Sequence, residues 1–191
     1  IIQISTDYVF RGSHKLPINE LELQNPINRY GETKAEAEKF LLREYPESSV
    51  IVRTAWLYGP YGKNFARTII RKALLSSQEC IQVVEDQLGQ PTSTLDLASR
   101  ILEVVNSNVR CGVYHGTNSG STSWFGFAQL LLDSAEIGSE RIAPIKSLDY
   151  ASSVKRPKYS VLSHESWKSI GFSAMRSWDD SVKESALRIR K

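Results

Sequence analysis

Absences narrow the field first. No stretch of the 191 residues approaches the roughly 18 consecutive apolar residues that a membrane-spanning helix needs, so no membrane partner is expected. Cysteine is almost missing. Cys80 and Cys111 form neither a C-x-x-C pair nor a metal-ligand spacing. They read as free thiols in a reducing compartment such as the cytoplasm, and no metal site is expected. Charge of one sign does not accumulate either: the net charge is +3, and Lys and Arg are scattered apart from short pairs such as Arg71-Lys72 and Lys155-Arg156. That argues against a nucleic-acid partner. Also missing are internal repeats, low-complexity tracts, a G-x-G-x-x-G fingerprint and an initiating methionine; the chain opens "IIQISTDYVF".

The composition, 41% hydrophobic and 24% charged, is that of a soluble globular domain. Short β-branched runs alternate with helical patterns, which predicts α/β units around a parallel sheet. Strands are expected at Ile1–Ser5, Val50–Thr54, Ile81–Val84 and Gly112–His115. A helix over about 28–44 would turn Ala37, Phe40 and Leu41 inward. The next, about 65–75, would bury Phe65, Ile69 and Ala73. A third, capped by Ser93 with Asp96 three residues on, would bury Leu97, Ile101 and Val105. "GTNSGSTSW" reads as a loop. Beyond it a helix presents Phe127, Leu130 and Leu131, and a last one from Ser177 presents Trp178, Val182 and Ala186. The opening strand ends in Ser5-Thr6-Asp7, small polar groups where an open α/β sheet meets its ligands.

"NRYGETKAEAEKF" sets Tyr30 and Lys34 four apart on a helical segment, so both project from one face. A phenol titrates near 10 and is a poor acid–base group at neutral pH; a nearby cation favours the phenolate. The pair suits an acid–base tyrosine, or equally a surface tyrosine packed over a lysine stem. Trp56, after a strand end, fits ligand contact or core. Asn64 begins a helix whose N-terminus could face an anion, or simply caps it. Arg156 fits a diphosphate contact or a solvated side chain. Gln87 and Pro91 line a pocket or turn the chain. His14, His115 and His164 have no partner spacing and read as structural or surface residues.

Five ordered blocks carry more. "STDYVF", "NPINRYGETKAEAEKF", "RTAWLYGPYGKNF", "DQLGQPTS" and "KRPKYSVL" resemble the extended short-chain dehydrogenase/reductases, and within them the dTDP-4-dehydrorhamnose reductase family. The resemblance implies the second half of a Rossmann-like parallel sheet (residues 1–57 and 92–118) with a smaller α+β substrate-binding lobe (58–91 and 119–191). It implies Tyr30 as catalytic acid, Lys34 as its partner and ribose ligand, and Thr6 as the hydroxyl holding the substrate carbonyl. Ser5, Tyr30 and Lys34 would meet the cofactor, NADPH or NADH. Thr6, Asp7, Trp56, Asn64 and Arg156 would meet the sugar nucleotide. The implied reaction is hydride transfer to the 4-keto group of dTDP-4-dehydro-L-rhamnose, supplying a deoxysugar nucleotide for surface polysaccharide, with a homodimer also admitted.

Alternatives in other classes are a non-catalytic regulatory or binding subunit of the same fold, and another sugar-nucleotide reductase or epimerase. Related dehydratases follow this Thr-Asp with glutamate; here Tyr8 stands there, which disfavours dehydration. In the family the glycine-rich fingerprint lies upstream, so on the order of a hundred residues are expected before Ile1.

Overall fold

A computed structural model of the chain describes residues 1–75, 80–109, 111–150 and 154–190. In chain order the elements are β1 (Ile2–Thr6), α1 (Arg29–Glu44), β2 (Val50–Thr54), β3 (Leu57–Tyr58), α2 (Phe65–Leu75), β4 (Ile81–Val84), β5 (Leu88–Gly89) and β6 (Thr92–Ser93). There follow α3 (Thr94–Val105), β7 (Gly112–His115), β8 (Thr122–Ser123), α4 (Trp124–Ser134), β9 (Ile142–Ile145), α5 (Glu165–Ser169) and α6 (Trp178–Arg190). The fold is α/β.

β1, β2 and β7 form a parallel sheet in the order β1-β2-β7, with Thr6 opposite Thr54 and Arg53 opposite His115. All five residues of β2 are buried, as a central parallel strand requires. β4 leaves this sheet and pairs in parallel with β9 instead. β9 ("IAPI") escapes the sequence pattern because Pro144 interrupts it; two-stranded pairing leaves an edge where proline is tolerated.

The sheet packs Val52, Tyr114, Leu97 and Val104 against Trp167 and Met175. A separate apolar core joins α2, α4 and α6 to β4 and β9 through Ile69, Phe127, Leu131, Ile142 and Val182. Two predicted faces are rotated. On α1 the buried row is Gly31, Ala35, Glu38 and Leu41, whereas Phe40 is exposed and lies edge-on to Tyr45. The row follows Glu38, which Arg53 holds inside. On α3, Leu97 is buried as expected, but Arg100 and Val104 take the places of Ile101 and Val105. Arg100 is drawn inward because its Nη2 donates to the Ser173 carbonyl at 2.7 Å and its guanidinium lies 5.1 Å over the Trp167 ring. Ser93 caps α3, while Asp96 turns away to accept from Arg176, Ser181 and Asn118. No helix among the described residues is long and apolar enough to cross a membrane.

Candidate active site

The polar end of β1 is built around one turn. Thr6 Oγ1 accepts from the Tyr8 amide at 3.2 Å, capping the 3-10 turn Asp7–Val9, and donates to Asp7 Oδ1 at 3.0 Å. Asp7 is buried, and among the described residues its Oδ2 has no hydrogen-bond partner. Burial pushes its acid up to about 7, against the opposing hydrogen bonds from Ser160 and Thr6. Tyr8 is pushed up to about 12, by burial first and then by the Asp7 carboxylate, although Arg156 hydrogen-bonds it. A phenol held there stays protonated at neutral pH, so Tyr8 cannot serve as the base that glutamate supplies in dehydratases.

Helix α1 is pressed onto this turn. Asn28 caps it, accepting from the Gly31 amide at 2.9 Å, while its own amide donates to the Lys155 carbonyl at 2.9 Å. At Gly31 a Cβ would lie 2.1 Å from the Tyr8 carbonyl oxygen, so only glycine permits the approach. Tyr30, the adjoining residue, is half exposed, its ring edge-on to Tyr8 with centroids 5.8 Å apart. One turn on, Lys34 Nζ donates to the Ile4 carbonyl at 3.1 Å. An ammonium has three donors, so this bond fixes the lysine to β1 and leaves donors for a ligand hydroxyl. A phenol and an ammonium on one row beside the end of a parallel strand are a donor set that fits a nicotinamide riboside.

A cleft of about 540 Å³ is linked to this row through Arg156, which lines it and hydrogen-bonds Tyr8. Phe65, Ile69, Val83 and Trp124 line it, and Lys72, Lys155, Arg156 and Lys158 supply its charge; among the described residues none that lines it is acidic. Aromatic walls with a cationic rim suit a nucleotide: rings stack on the base, and guanidinium or ammonium groups neutralise phosphates. Trp56 stands behind the wall. Its indole stacks on Trp124 at 3.6 Å with planes 10° apart, and its backbone is left-handed at φ 46°. A non-glycine residue adopts that conformation only where its surroundings enforce it. Gly89 leaves the room that the indole occupies, since a Cβ there would lie 2.5 Å from it.

The structure thus brings Thr6, Tyr30 and Lys34 to one strand end and joins Arg156 to them through Tyr8. Ser5 and Asp7 turn inward: both are buried, and the Ser5 hydroxyl donates to Glu38. Asn64 acts as a cap, accepting from the Arg67 amide at 3.1 Å and donating to the Gly59 and Tyr61 carbonyls. His115 is a core residue, donating from Nδ1 to the Ser163 carbonyl at 2.9 Å. Trp124, Phe65, Lys72, Lys155 and Lys158 were missed as site residues. Trp124 follows a polar loop in sequence and packs partly into the core, so little marked it except its place at the first turn of a helix. Among the described residues, no group of three His, Cys, Asp or Glu side chains converges as a metal site would.

Known proteins resemble this chain over nearly all of its length. The family model described as "RmlD substrate binding domain" matches residues 1–190. The "dTDP-4-keto-6-deoxy-D-glucose reductase" of Streptomyces niveus is 39% identical over 184 residues, covering 96% of this chain and 63% of that protein. The "dTDP-4-dehydrorhamnose reductase" of Streptomyces griseus is 39% identical over 189 residues, covering 97% of this chain and 62% of the relative. A crystal structure of dTDP-4-dehydrorhamnose reductase from Bacillus anthracis in complex with NADP superposes with a TM-score of 0.90 at 37% identity, over 96% of this chain and 64% of that one. The chain therefore spans less than two thirds of the length of these relatives.

Proposed function

Because the chain belongs to the RmlD substrate binding domain family, we propose that it is the part of an NAD(P)H-dependent reductase that binds a dTDP-4-keto sugar and protonates it, with dTDP-4-dehydro-L-rhamnose as substrate. The observation that carries the reading is the Lys34–Ile4 hydrogen bond, which holds the Tyr30–Lys34 row against the strand end that bears Thr6.

The nicotinamide, when bound, supplies hydride to C4 of the sugar. Tyr30 donates its phenolic proton to the oxygen at C4 as the carbonyl becomes an alcohol, and Lys34 stabilises the phenolate left behind. Thr6 directs its hydroxyl at the same oxygen. In the structure the Thr6 proton is committed to Asp7 Oδ1; once Asp7 is itself protonated it can donate back to Thr6, freeing the threonine proton for the substrate. Lys72, Lys155, Arg156 and Lys158 bind the diphosphate, and Trp124 and Phe65 meet the thymine and exclude water. The exposed free thiols of Cys80 and Cys111 fit a reducing compartment, and we place the protein in the cytoplasm.

The test is NADPH oxidation by dTDP-4-dehydro-L-rhamnose in the native-length protein. Tyr30→Phe should lower kcat by about 10²–10⁴-fold with the fold intact. A wild-type protein that binds the sugar nucleotide but oxidises no NADPH would instead be a binding subunit.

A further inference from the structure

Tyr30, Lys34 and Glu38 recur every four residues on α1, so they form one row along the helix. The first is half exposed and the second reaches the Ile4 carbonyl, while the third is completely buried. The Glu38 carboxylate is saturated. Arg53 donates to it from Nε at 3.1 Å to each oxygen and from Nη2 at 2.7 Å; Gln24 Nε2 donates at 2.5 Å, and the Ser5 hydroxyl donates to Oε1. Arg53 is equally enclosed. Its Nη1 donates to the Glu20 carbonyl at 3.0 Å, and its guanidinium lies 4.9 Å over the Phe10 ring.

A buried ion pair adds little net stability over apolar residues of the same volume, because desolvation offsets the attraction. What it adds is direction. The partners here come from four segments: Ser5 of β1, Arg53 of β2, Glu38 of α1, and residues 20–24 of the loop that leads into α1. Ser5 directly precedes Thr6, and Glu38 lies one turn beyond Lys34. The Ser5–Glu38 and Ile4–Lys34 bonds therefore fasten neighbouring residues of β1 to successive turns of α1.

We propose that Glu38 and Arg53 are positioning residues of the reductase site, setting the register of the Tyr30–Lys34 helix against the Thr6 strand end. The proposal rests on the reductase reading above, and goes beyond it in assigning a catalytic consequence to a pair that touches no substrate. An apolar pair would fill the same space yet leave Ser5 and Gln24 without their common acceptor, and α1 free to shift by a fraction of an ångström. Misplacement on the scale of 1 Å costs on the order of 100-fold in rate.

The decisive variant is the double replacement Glu38→Met with Arg53→Met in the native-length protein, which removes both charges at once. Kinetics with NADPH and dTDP-4-dehydro-L-rhamnose are measured alongside amide hydrogen exchange. The expected result is a kcat lower by at least tenfold, with KM for both substrates within twofold. Exchange should quicken at the end of β1 and in the first turns of α1, and stay native in α4 and α6. Should the double variant not fold, Glu38→Asp keeps the charge but withdraws the carboxylate by one methylene, and the same split in kcat and exchange is expected. Native kcat in a folded variant overturns the proposal. So does exchange that quickens uniformly through α4 and α6, which would mark the pair as a general stabiliser. If the wild-type protein reduces no 4-keto sugar the reductase reading fails, whereas the exchange pattern still decides whether the pair sets the register.

Discussion

The core between α2, α4 and α6 and the interior beneath α1 are equally closed to water and differently made. The first is filled by Phe127, Leu131, Leu132 and Val182, side chains with nothing to donate or accept. The second contains Glu38, Arg53, Ser5 and Asp7, where almost every contact has a direction. Apolar packing is non-directional, so it holds helices together without fixing an atom's position to a few tenths of an ångström. Hydrogen-bonded carboxylates do fix it, at the cost of burying polar groups that are expensive wherever one is left unpaired. The directional interior lies beneath Tyr30 and Lys34, the groups proposed above to handle the proton.

The largest effect that would sharpen this contrast comes from Gly31→Ala. The added methyl would sit 2.1 Å from a backbone oxygen of the directional region, so α1 must move away from Tyr8. Stability should fall by about 4 kcal/mol or more, the range of the severest single changes, and any folded fraction should lose reductase activity. Urea melts and turnover measured together check it.

A pH series separates the regions next. Asp7, with its acid raised to about 7, keeps a proton that the unfolded chain releases near pH 4. Its contribution is therefore complete below about pH 4 and is lost as pH rises through 7, by about 4 kcal/mol in all. His115, lowered to about 3 by burial and by Arg53, and His164, lowered to about 4 by burial and by Arg100, act with the opposite sign. Their contribution is present above pH 6.5 and is lost as pH falls through 4 and 3. Asp7→Asn should remove only the first of these dependences, so its stability should rise more steeply than wild type between pH 4 and 6.5. Parallel curves for variant and wild type would break the assignment.

Leu131→Ala probes the other interior. A fully buried leucine replaced by alanine should lose about 2–5 kcal/mol. The kcat of the folded protein should change less than twofold, because Thr6, Tyr30 and Lys34 are not among the residues that form or pack on that core. A comparable loss of kcat would erase the distinction drawn above. Least of all, Phe40→Ser on the exposed face of α1 should alter stability by no more than about 0.5 kcal/mol.

The two interiors also differed in how far the sequence disclosed them. Ile69, Ala73, Phe127 and Val182 follow the helical period, and the structure buries them all. In "KAEAEKF" Glu38 looks like any solvated glutamate, because periodicity ranks residues by polarity and cannot see a buried partner 15 residues away. That is why Phe40 was expected inside and Glu38 was overlooked, and why Arg100 displaced Ile101 on α3. Tyr30, Lys34 and Thr6 were legible as a motif that the fold brings to one strand end. The cleft's Trp124 and Lys72 were not, since they converge only through the packing of α2 and α4.

The stacked indoles of Trp56 and Trp124 have a consequence in optics. Two chromophores stacked face to face 3.6 Å apart share their excitation, so this wall of the cleft should give a paired circular-dichroism band and a fluorescence unlike that of the other two tryptophans. A nucleotide base sliding against Trp124 would perturb that shared state, so the native protein is its own dye for titrating what enters the cleft.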